Sequence, residues 1–510
     1  MSADSSTSTL APNETTSLIT RTSSTFTEDA RSAGHFTLSA KHTARELLLL
    51  LRDSTPVVLS YVLQHSICTV AVIVAGRLGP EELSIAAFSL MLTFVTGFVV
   101  ALGGSTALDT FGSQAFTGGK RSTDLSVHFM RCIIVLWMFF IPIAILWINA
   151  EPILLALGQE PLIARGTQRF LRVMIVGVPA YIAFESLKKY LQCQGIIHAP
   201  TVVLLAVFPI NVALNVALVH YTSLGIMGTP LAVSLTFYIA FTLLASYTAR
   251  SSQHRKNQTW GGFRFRVILN FRGCMSFTKL ALPGVLMVGT EWAAFEIVAL
   301  AAGRLGSTSL AAQSIIMTSD QILNTIPFGI GVAASARVGS LIGSRSAAGA
   351  RFAGHLSAFA SVLAGATVMI LLLATKNVFP YMFTDNGQVA QLVSQVMPLL
   401  ASFQIADGLA GSCGGVLRGQ GRQHLGAVFN VVAYYILALP IGISLAFKYD
   451  LGLAGLWIGQ VIGLFVVGIA EYAVVWLGTD WEREVEKGAD RNAAEALRQQ
   501  TLVVRDDGRV

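Results

Sequence analysis

About twelve stretches of mostly apolar residues, each long enough to cross a bilayer, alternate with short polar segments along the chain. They fall near residues 54–78, 86–111, 129–149, 170–191, 199–220, 229–248, 278–302, 319–342, 355–375, 394–416, 425–447 and 453–477. In hydrocarbon only a helix or a closed barrel satisfies its own backbone hydrogen bonds. Runs of about 20 apolar residues therefore predict an all-α integral membrane protein with twelve transmembrane helices. The first 40 residues are Ser/Thr-rich and lack an apolar core, which predicts a disordered tail without a secretory signal.

The pattern is written twice. Ala75-Gly76-Arg77-Leu78-Gly79 recurs as Ala302-Gly303-Arg304-Leu305-Gly306, roughly 227 residues later. At the same offset Pro56 recurs as Pro283, and Gly225-x-x-Gly228 as Gly452-x-x-Gly455, while Gln194-Gly195 and Gln420-Gly421 follow one residue out of step. Matches that share one offset and one order indicate a duplicated fold of two six-helix lobes. Six is even, so each lobe starts and ends on the same side, and the repeat is parallel about an axis along the membrane normal. The expected organisation is a tail over 1–44, a first lobe over 45–248, a basic linker over 249–272, a second lobe over 273–478 and a tail over 479–510. That last segment reads as a short surface helix from Glu482 to Gln499 or as disorder, and a monomer is expected.

Composition agrees: 53% of residues are hydrophobic and 12% charged, against about a quarter charged in soluble domains. The net charge of +7 does not point to nucleic acid, since the basic residues are spread along loops without an interleaved aromatic pattern. Their distribution instead orients the protein. Even-numbered loops carry roughly fourteen Lys and Arg and odd-numbered loops about six, which puts even loops and both termini in the cytosol. Plasma and vacuolar membranes both remain open. The five scattered cysteines read as small buried hydrophobes. Asn13-Glu14-Thr15 and Asn257-Gln258-Thr259 match the glycosylation pattern but fall on the cytosolic side, so neither is expected to be used.

An ionisable group at mid-membrane depth is costly, so it normally faces protein or water and is a functional candidate. Glu291 and Glu296 lie in the seventh span after Pro283 and Gly284, and Asp407 lies well inside the tenth. At about 100° per residue the two glutamates stand about 140° apart, so one cavity reaches both only if it is broad or the helix bends, for which Pro283 supplies a cause. Their repeat partners are Gln64 and Thr69, and Asp407 aligns near Ala180 or Tyr181, so the first lobe lacks all three acids. One-sided carboxylates suit a proton or cation site; a structural hydrogen bond to a neighbouring helix is the alternative for each. Glu185, one turn from Lys188 and Lys189, fits an intrahelical pair near the cytosolic end as well as it fits function. Asp109, Asp320 and Glu471 lie nearer span ends, where solvated placements are easier. His65 reads as a satisfied core residue. Asn211, Asn215 and Asn430 read as interhelical hydrogen-bonding groups, and the first two share a face that could line a first-lobe pocket.

Several motifs together resemble one family, the multidrug and toxic compound extrusion (MATE) transporters, over about residues 45 to 478. Ala75-Gly76-Arg77-Leu78-Gly79 is similar to the end of the family's first span, and Ala107-Leu108-Asp109-Thr110 with Gln114-Ala115-Phe116 to its second. Tyr190-Leu191-Gln192-x-Gln194-Gly195 resembles the end of the fourth, and Gly414-Gly415-Val416-Leu417-Arg418-Gly419 the end of the tenth. Asn430-x-x-x-Tyr434-Tyr435 with Pro440, then Gly452-x-x-Gly455-x-Trp457-x-Gly459, continue the series. The resemblance implies two lobes alternating between inward-open and outward-open states, and export of organic compounds driven by inward movement of protons or sodium. Eukaryotic members typically couple to protons through second-lobe acids, which here are Glu291, Glu296 and Asp407. The acid that many bacterial members carry in the first span is replaced by Ala71. The long Ser/Thr-rich tail resembles fungal members.

The expected function is thus an antiporter that exports organic cations, drugs or amphipathic metabolites against protons, with sodium possible and no bound cofactor. Candidate pocket residues are Gln64, Trp292, Asn211, Asn215, Asn430, Tyr434 and Tyr435, and Pro56 and Pro283 are the positions for helix bending. A lipid or polysaccharide-precursor flippase would need Lys or Arg facing the cavity to hold phosphate, and none stands at mid-span depth in the sequence. A channel would need a filter loop or an oligomeric ring. No catalytic constellation suggests an enzyme.

Overall fold

A computed structural model describes residues 40–119 and 121–507, of which Leu47 onward forms one compact unit. Most of the expected amino-terminal tail, with Asn13, lies outside the described residues, as does Lys120. Twelve described helices are long and apolar enough to cross a membrane: Thr43–Gly76, Pro80–Gly118, Asp124–Ile148, Pro161–Gln192, Ala199–His220, Gly225–Arg250, Phe271–Arg304, Ser307–Gly343, Ala347–Thr375, Gly387–Gln420, Gln423–Phe447 and Gly452–Trp476. Each coincides with one of the apolar stretches, and no strand occurs among the described residues. Several run well past the apolar stretch. The second begins at Pro80 and ends at Gly118, and the eighth begins at Ser307, so Asp109 and Asp320 stand inside their spans, each beside a short turn that interrupts the helix.

One apolar core gathers spans one to six with the start of the seventh, and another gathers spans seven to twelve. The halves meet through equivalent crossings. At Gly103 in the second span, a Cβ would stand 2.6 Å from the Gly284 carbonyl oxygen in the seventh. The matching crossing sets Gly329 of the eighth span against Val58 of the first. Only glycine allows backbones this close.

Towards the even-numbered loops the halves are tied by hydrogen bonds. Gln114 Nε2 donates to the Gly419 carbonyl at 2.9 Å, Thr117 Oγ1 to the Ser340 carbonyl at 2.7 Å, and Gln423 Nε2 to Thr110 Oγ1 at 3.1 Å. The molecule is closed at that end.

The segment after residue 479 is not a loose tail. Trp481–Asp507 forms a helix that docks across both halves at the closed end. Arg131 Nη2 of the third span meets Glu495 Oε1 at 3.1 Å, with both side chains buried. Asn492 Nδ2 donates to the Gln114 carbonyl and Arg491 Nη2 to the Gln420 carbonyl, each at 3.0 Å. Trp481 joins an apolar cluster with Val416 and Val475. A strongly charged sequence conceals this docking, because Glu484, Glu495 and Gln499 are buried beside Trp481 and Ala496, and Glu495 gains its place through Arg131 rather than through hydrophobicity.

Burial, the largest influence on Glu495, opposes its ionisation, yet His128, Arg131 and Arg498 together bring its carboxyl below the usual range. A carboxyl lowered by folding contributes stability that is fully present above its unfolded value and is lost as pH falls through the folded one. Glu495→Gln leaves Arg131 buried without its charge partner, so it should cost about 3 kcal/mol. The apparent melting temperature of purified protein should fall at pH 7 and converge with that of the native chain in acid. Equal melting temperatures at pH 7 would contradict this role.

Candidate functional site

On the side of the odd-numbered loops the halves part around a cavity of about 350 Å³. Its walls come from the odd-loop halves of spans one, two, seven and eight, with Tyr181 and Phe237 from spans four and six. The lining is aromatic. Phe94 and Trp292 stand edge to face at 4.8 Å between centroids, and Phe98 stacks on Tyr181 at 4.0 Å. Phe94 and Phe98 lie in a π-helical stretch, Thr93–Phe98, whose wider turn is common at functional positions. Gln64 and His65 face the cavity from the first span, and Glu296 is its one acid.

A second, smaller pocket of about 50 Å³ lies within the second lobe. Glu291, Asp407 and Glu471 line it from spans seven, ten and twelve, with Asn324, Asn430 and Arg418. Asn324 Nδ2 spans both Asp407 oxygens at 3.1 and 3.0 Å. Asn430 Nδ2 donates to the Met287 carbonyl at 2.6 Å, and a π-helical stretch, Val431–Ala438, follows it directly. Both Glu471 oxygens are buried without a hydrogen-bond partner among the described residues. Asp320 is buried on the same side of the lobe, where Gln404 Nε2 donates to it at 3.0 Å. Trp292 lines both the small pocket and the central cavity.

The first lobe holds its acids differently. Lys188 Nζ lies 2.7 Å from Glu185 Oε1 and 3.0 Å from Gln64 Oε1, and 3.8 Å above the Tyr61 ring. Gln64 Nε2 in turn donates to Glu185 at 2.6 Å and to the Tyr181 hydroxyl at 2.9 Å. Lys189 Nζ donates to both Asp109 oxygens at 3.0 Å. Arg418 Nε approaches Asp109 Oδ2 at 4.0 Å, so one guanidinium faces a first-lobe acid and also lines the second-lobe pocket.

Several expectations change. Glu291 and Glu296 face different cavities, as their angular separation allows without a broad pocket. Of the two glutamates, Glu291 is the one that shares its pocket with Asp407. Asn211 and Asn215 line neither cavity: Asn211 Nδ2 donates to Thr236 Oγ1 and Asn215 Nδ2 to the Asn211 carbonyl, each at 3.0 Å, in a fully buried contact between spans five and six. Tyr434 is buried beside the acids and Tyr435 donates to the Thr290 carbonyl at 3.0 Å, and neither lines either of these two cavities. Lysines and arginines do occur inside the protein: Lys188, Lys189, Arg131 and Arg418 are all buried. Lys188, Lys189 and Arg418 read as loop residues in the sequence because Asp109, which meets Lys189 and Arg418, comes from another helix, whereas Glu185, which meets Lys188, lies one turn away on the same helix. Asp320 stands well inside a span that begins earlier than its apolar stretch, while Glu471 does lie near the end of its span but is fully buried. Asn257 Nδ2 is engaged with Gln194 Oε1 at 3.3 Å and Thr259 is buried, so that glycosylation pattern is closed.

Two parallel lobes that join at one end and part around a cavity at the other make a membrane carrier the class of protein that fits. The chain belongs to the MatE family, whose model matches residues 56–217 and again 283–443, the two matches starting at the repeated prolines Pro56 and Pro283. It is therefore a multi-pass membrane transporter of the multidrug and toxin extrusion type. An uncharacterized transporter of Schizosaccharomyces pombe is 39% identical over 446 residues, 87% of this chain and 81% of that one. Multidrug and toxin extrusion protein 2 of Mus musculus is 37% identical over 88% of this chain and 77% of its own. The crystal structure of a eukaryotic MATE transporter, AtDTX14, superposes with a TM-score of 0.81 at 28% identity, covering 88% of this chain and 99% of that one.

The lysine pairs carry a stability prediction. Lys189→Met should leave Asp109 buried with only the distant Arg418 guanidinium and cost about 3 kcal/mol. Adding Asp109→Asn should return most of it in a double-mutant cycle read by thermal unfolding. Additive losses would show that the two side chains do not act as a pair.

Proposed function

We propose that the protein is an antiporter exporting organic cations, drugs or amphipathic metabolites in exchange for protons. The observation that carries this reading is the second-lobe pocket, where Glu291, Asp407 and Glu471 face the single guanidinium of Arg418, itself shared with Asp109. Like charges crowded at low dielectric do not all ionise, so the group holds a proton when no cation neutralises it. The pocket has room for only a few waters, each needing about 15 Å³. Solvent therefore screens these charges weakly.

The central cavity supplies substrate recognition. An aromatic wall with one carboxylate, Glu296, suits a flat or amphipathic cation, which gains from ring faces as well as from charge. One helix carries both acids, and Trp292 touches both spaces, so a change of charge at Glu291 is felt where substrate lies. Pro283, within that helix, removes a backbone hydrogen bond and lets it adjust. A cavity on the odd-loop side and ties on the even-loop side correspond to an outward-facing state, with both termini cytosolic and the monomer as the working unit. A flippase is disfavoured because the buried cations Lys188, Lys189 and Arg131 are each committed to a carboxylate, and Arg418 stands between Asp109 and the acids of the small pocket.

Protein reconstituted into vesicles should move a fluorescent organic cation when a pH gradient is imposed, without sodium. Transport that persists without a pH gradient and collapses on sodium removal would overturn proton coupling. Glu291→Gln and Asp407→Asn should each slow transport at least about tenfold, or roughly 1.4 kcal/mol. Asp407→Asn should also shift the pH profile, since it changes its neighbours' titration. Glu296→Gln should raise KM for cations more than for neutral compounds. Unchanged rates in all three variants would remove the carboxylates from the mechanism.

A further inference from the structure

A third cavity is larger than either of these. It is a groove of about 850 Å³ on the outer flank of the first lobe, walled by spans three, four and six and roofed by the linker. Its walls are apolar almost throughout, with Ile134, Trp137, Leu187 and Phe241 among them. The volume is within the range of about 300–1,000 Å³ typical of sites for organic ligands.

The roof is pinned at both ends. Tyr190 hydroxyl meets Thr259 Oγ1 at 2.7 Å and His254 Nε2 at 3.0 Å. Further on, Arg131 Nη2 donates to the Val267 carbonyl at 3.1 Å. Between these anchors Gly261 and Gly262 turn the chain, Gly262 with a φ of 74° that favours glycine. There Trp260, Phe263 and Phe265 form a ladder of ring contacts at 5.4 and 6.0 Å while staying 42%, 63% and 60% exposed. Arginines alternate with these rings at 264 and 266, an interleaving that the loops as a whole lack. Residues 249 to 272 carry Arg250, Arg255, Lys256, Arg264, Arg266 and Arg272 and not one acid.

We propose that this groove binds an anionic glycerophospholipid of the adjoining leaflet, acyl chains between spans three and six and headgroup against Arg255 and Arg264. Exposed rings beside basic side chains at a span end are the composition that settles at a bilayer interface. Each Lys or Arg near an anionic surface adds attraction that falls off within a Debye length. His254 adds none, because burial holds its imidazole below the usual range and its Nε2 is taken by Tyr190. The same charge excludes other occupants. An organic cation is repelled by the rim, and a second copy would bring an equally basic linker against this one. Which leaflet supplies the lipid rests on the orientation assigned above; the binding itself does not, and neither depends on the transport reading.

The test is native mass spectrometry of the purified full chain offered equal phosphatidylserine and phosphatidylcholine. Phosphatidylserine should be retained over phosphatidylcholine by about tenfold, and glycerophosphoserine, which lacks acyl chains, should not compete. Arg255→Gln with Arg264→Gln, both exposed positions, should bring the two lipids within about twofold of each other while total lipid stays constant. Ala245→Trp, which fills the groove, should lower retention of both lipids together. Equal retention by the native chain, a preference that survives the double arginine change, competition by glycerophosphoserine or a groove-dependent dimer would each overturn the proposal. If Ala245→Trp fails to fold, the arginine pair decides alone.

Discussion

A carboxylate carried into the interior of a bilayer is tolerated in three ways: beside a fixed countercharge, beside water, or with a proton. The two lobes meet that constraint differently. In the first, Glu185 and Asp109 are each matched to a lysine within hydrogen-bonding distance, and the charge sums to nothing. In the second, Glu291, Asp407 and Glu471 outnumber their one cation, and amides rather than ammoniums complete the shell. A scaffold duplicated in one chain thus holds a neutral, structural half and a half whose charge depends on what occupies it. That difference, more than any single residue, makes the second lobe the seat of coupling on the proposed reading.

Span seven converts the difference into geometry. Its backbone is pressed against the second span at Gly103 and Gly284, and beyond that contact Glu291 faces inward to the acids while Glu296 faces the cavity between the lobes. A helix fixed at one point and loosened by Pro283 can transmit a local change of charge without rearranging the lobe. At the opposite end, Arg418 and the hydrogen bonds around it join the acid pocket to Asp109 in the other half. Charge in the pocket therefore bears on the strength of the closure. The carboxy-terminal helix, held by Arg131 and by Gln114, lies across that same closure.

Much of this was legible in the chain. Twelve spans, the parallel repeat and the placement of Glu291 and Asp407 in one lobe follow from apolar run length, a shared offset and the cost of buried charge. What was not legible depends on partners brought together from distant positions. Lys188 and Lys189 look like a loop's basic pair until Gln64 and Asp109, from other helices, are seen to enclose them. Asn211 and Asn215 share a face, but a face alone does not say whether it meets a cavity or Thr236. The docking of the terminal helix was hidden for a related reason: Trp481, Val485 and Ala489 give it an amphipathic period, but a period alone does not say that Arg131 and Gln114 receive its face.

The central claim is that a substrate cation held at Glu296 drives a proton from the carboxyls of the second-lobe pocket. It is tested most directly by mixing purified protein with an organic cation in weakly buffered solution and following pH with an indicator dye. The account predicts release of about one proton per cation bound, abolished when Glu291 and Asp407 are both replaced by their amides. Cation binding of undiminished affinity with no proton released would contradict it.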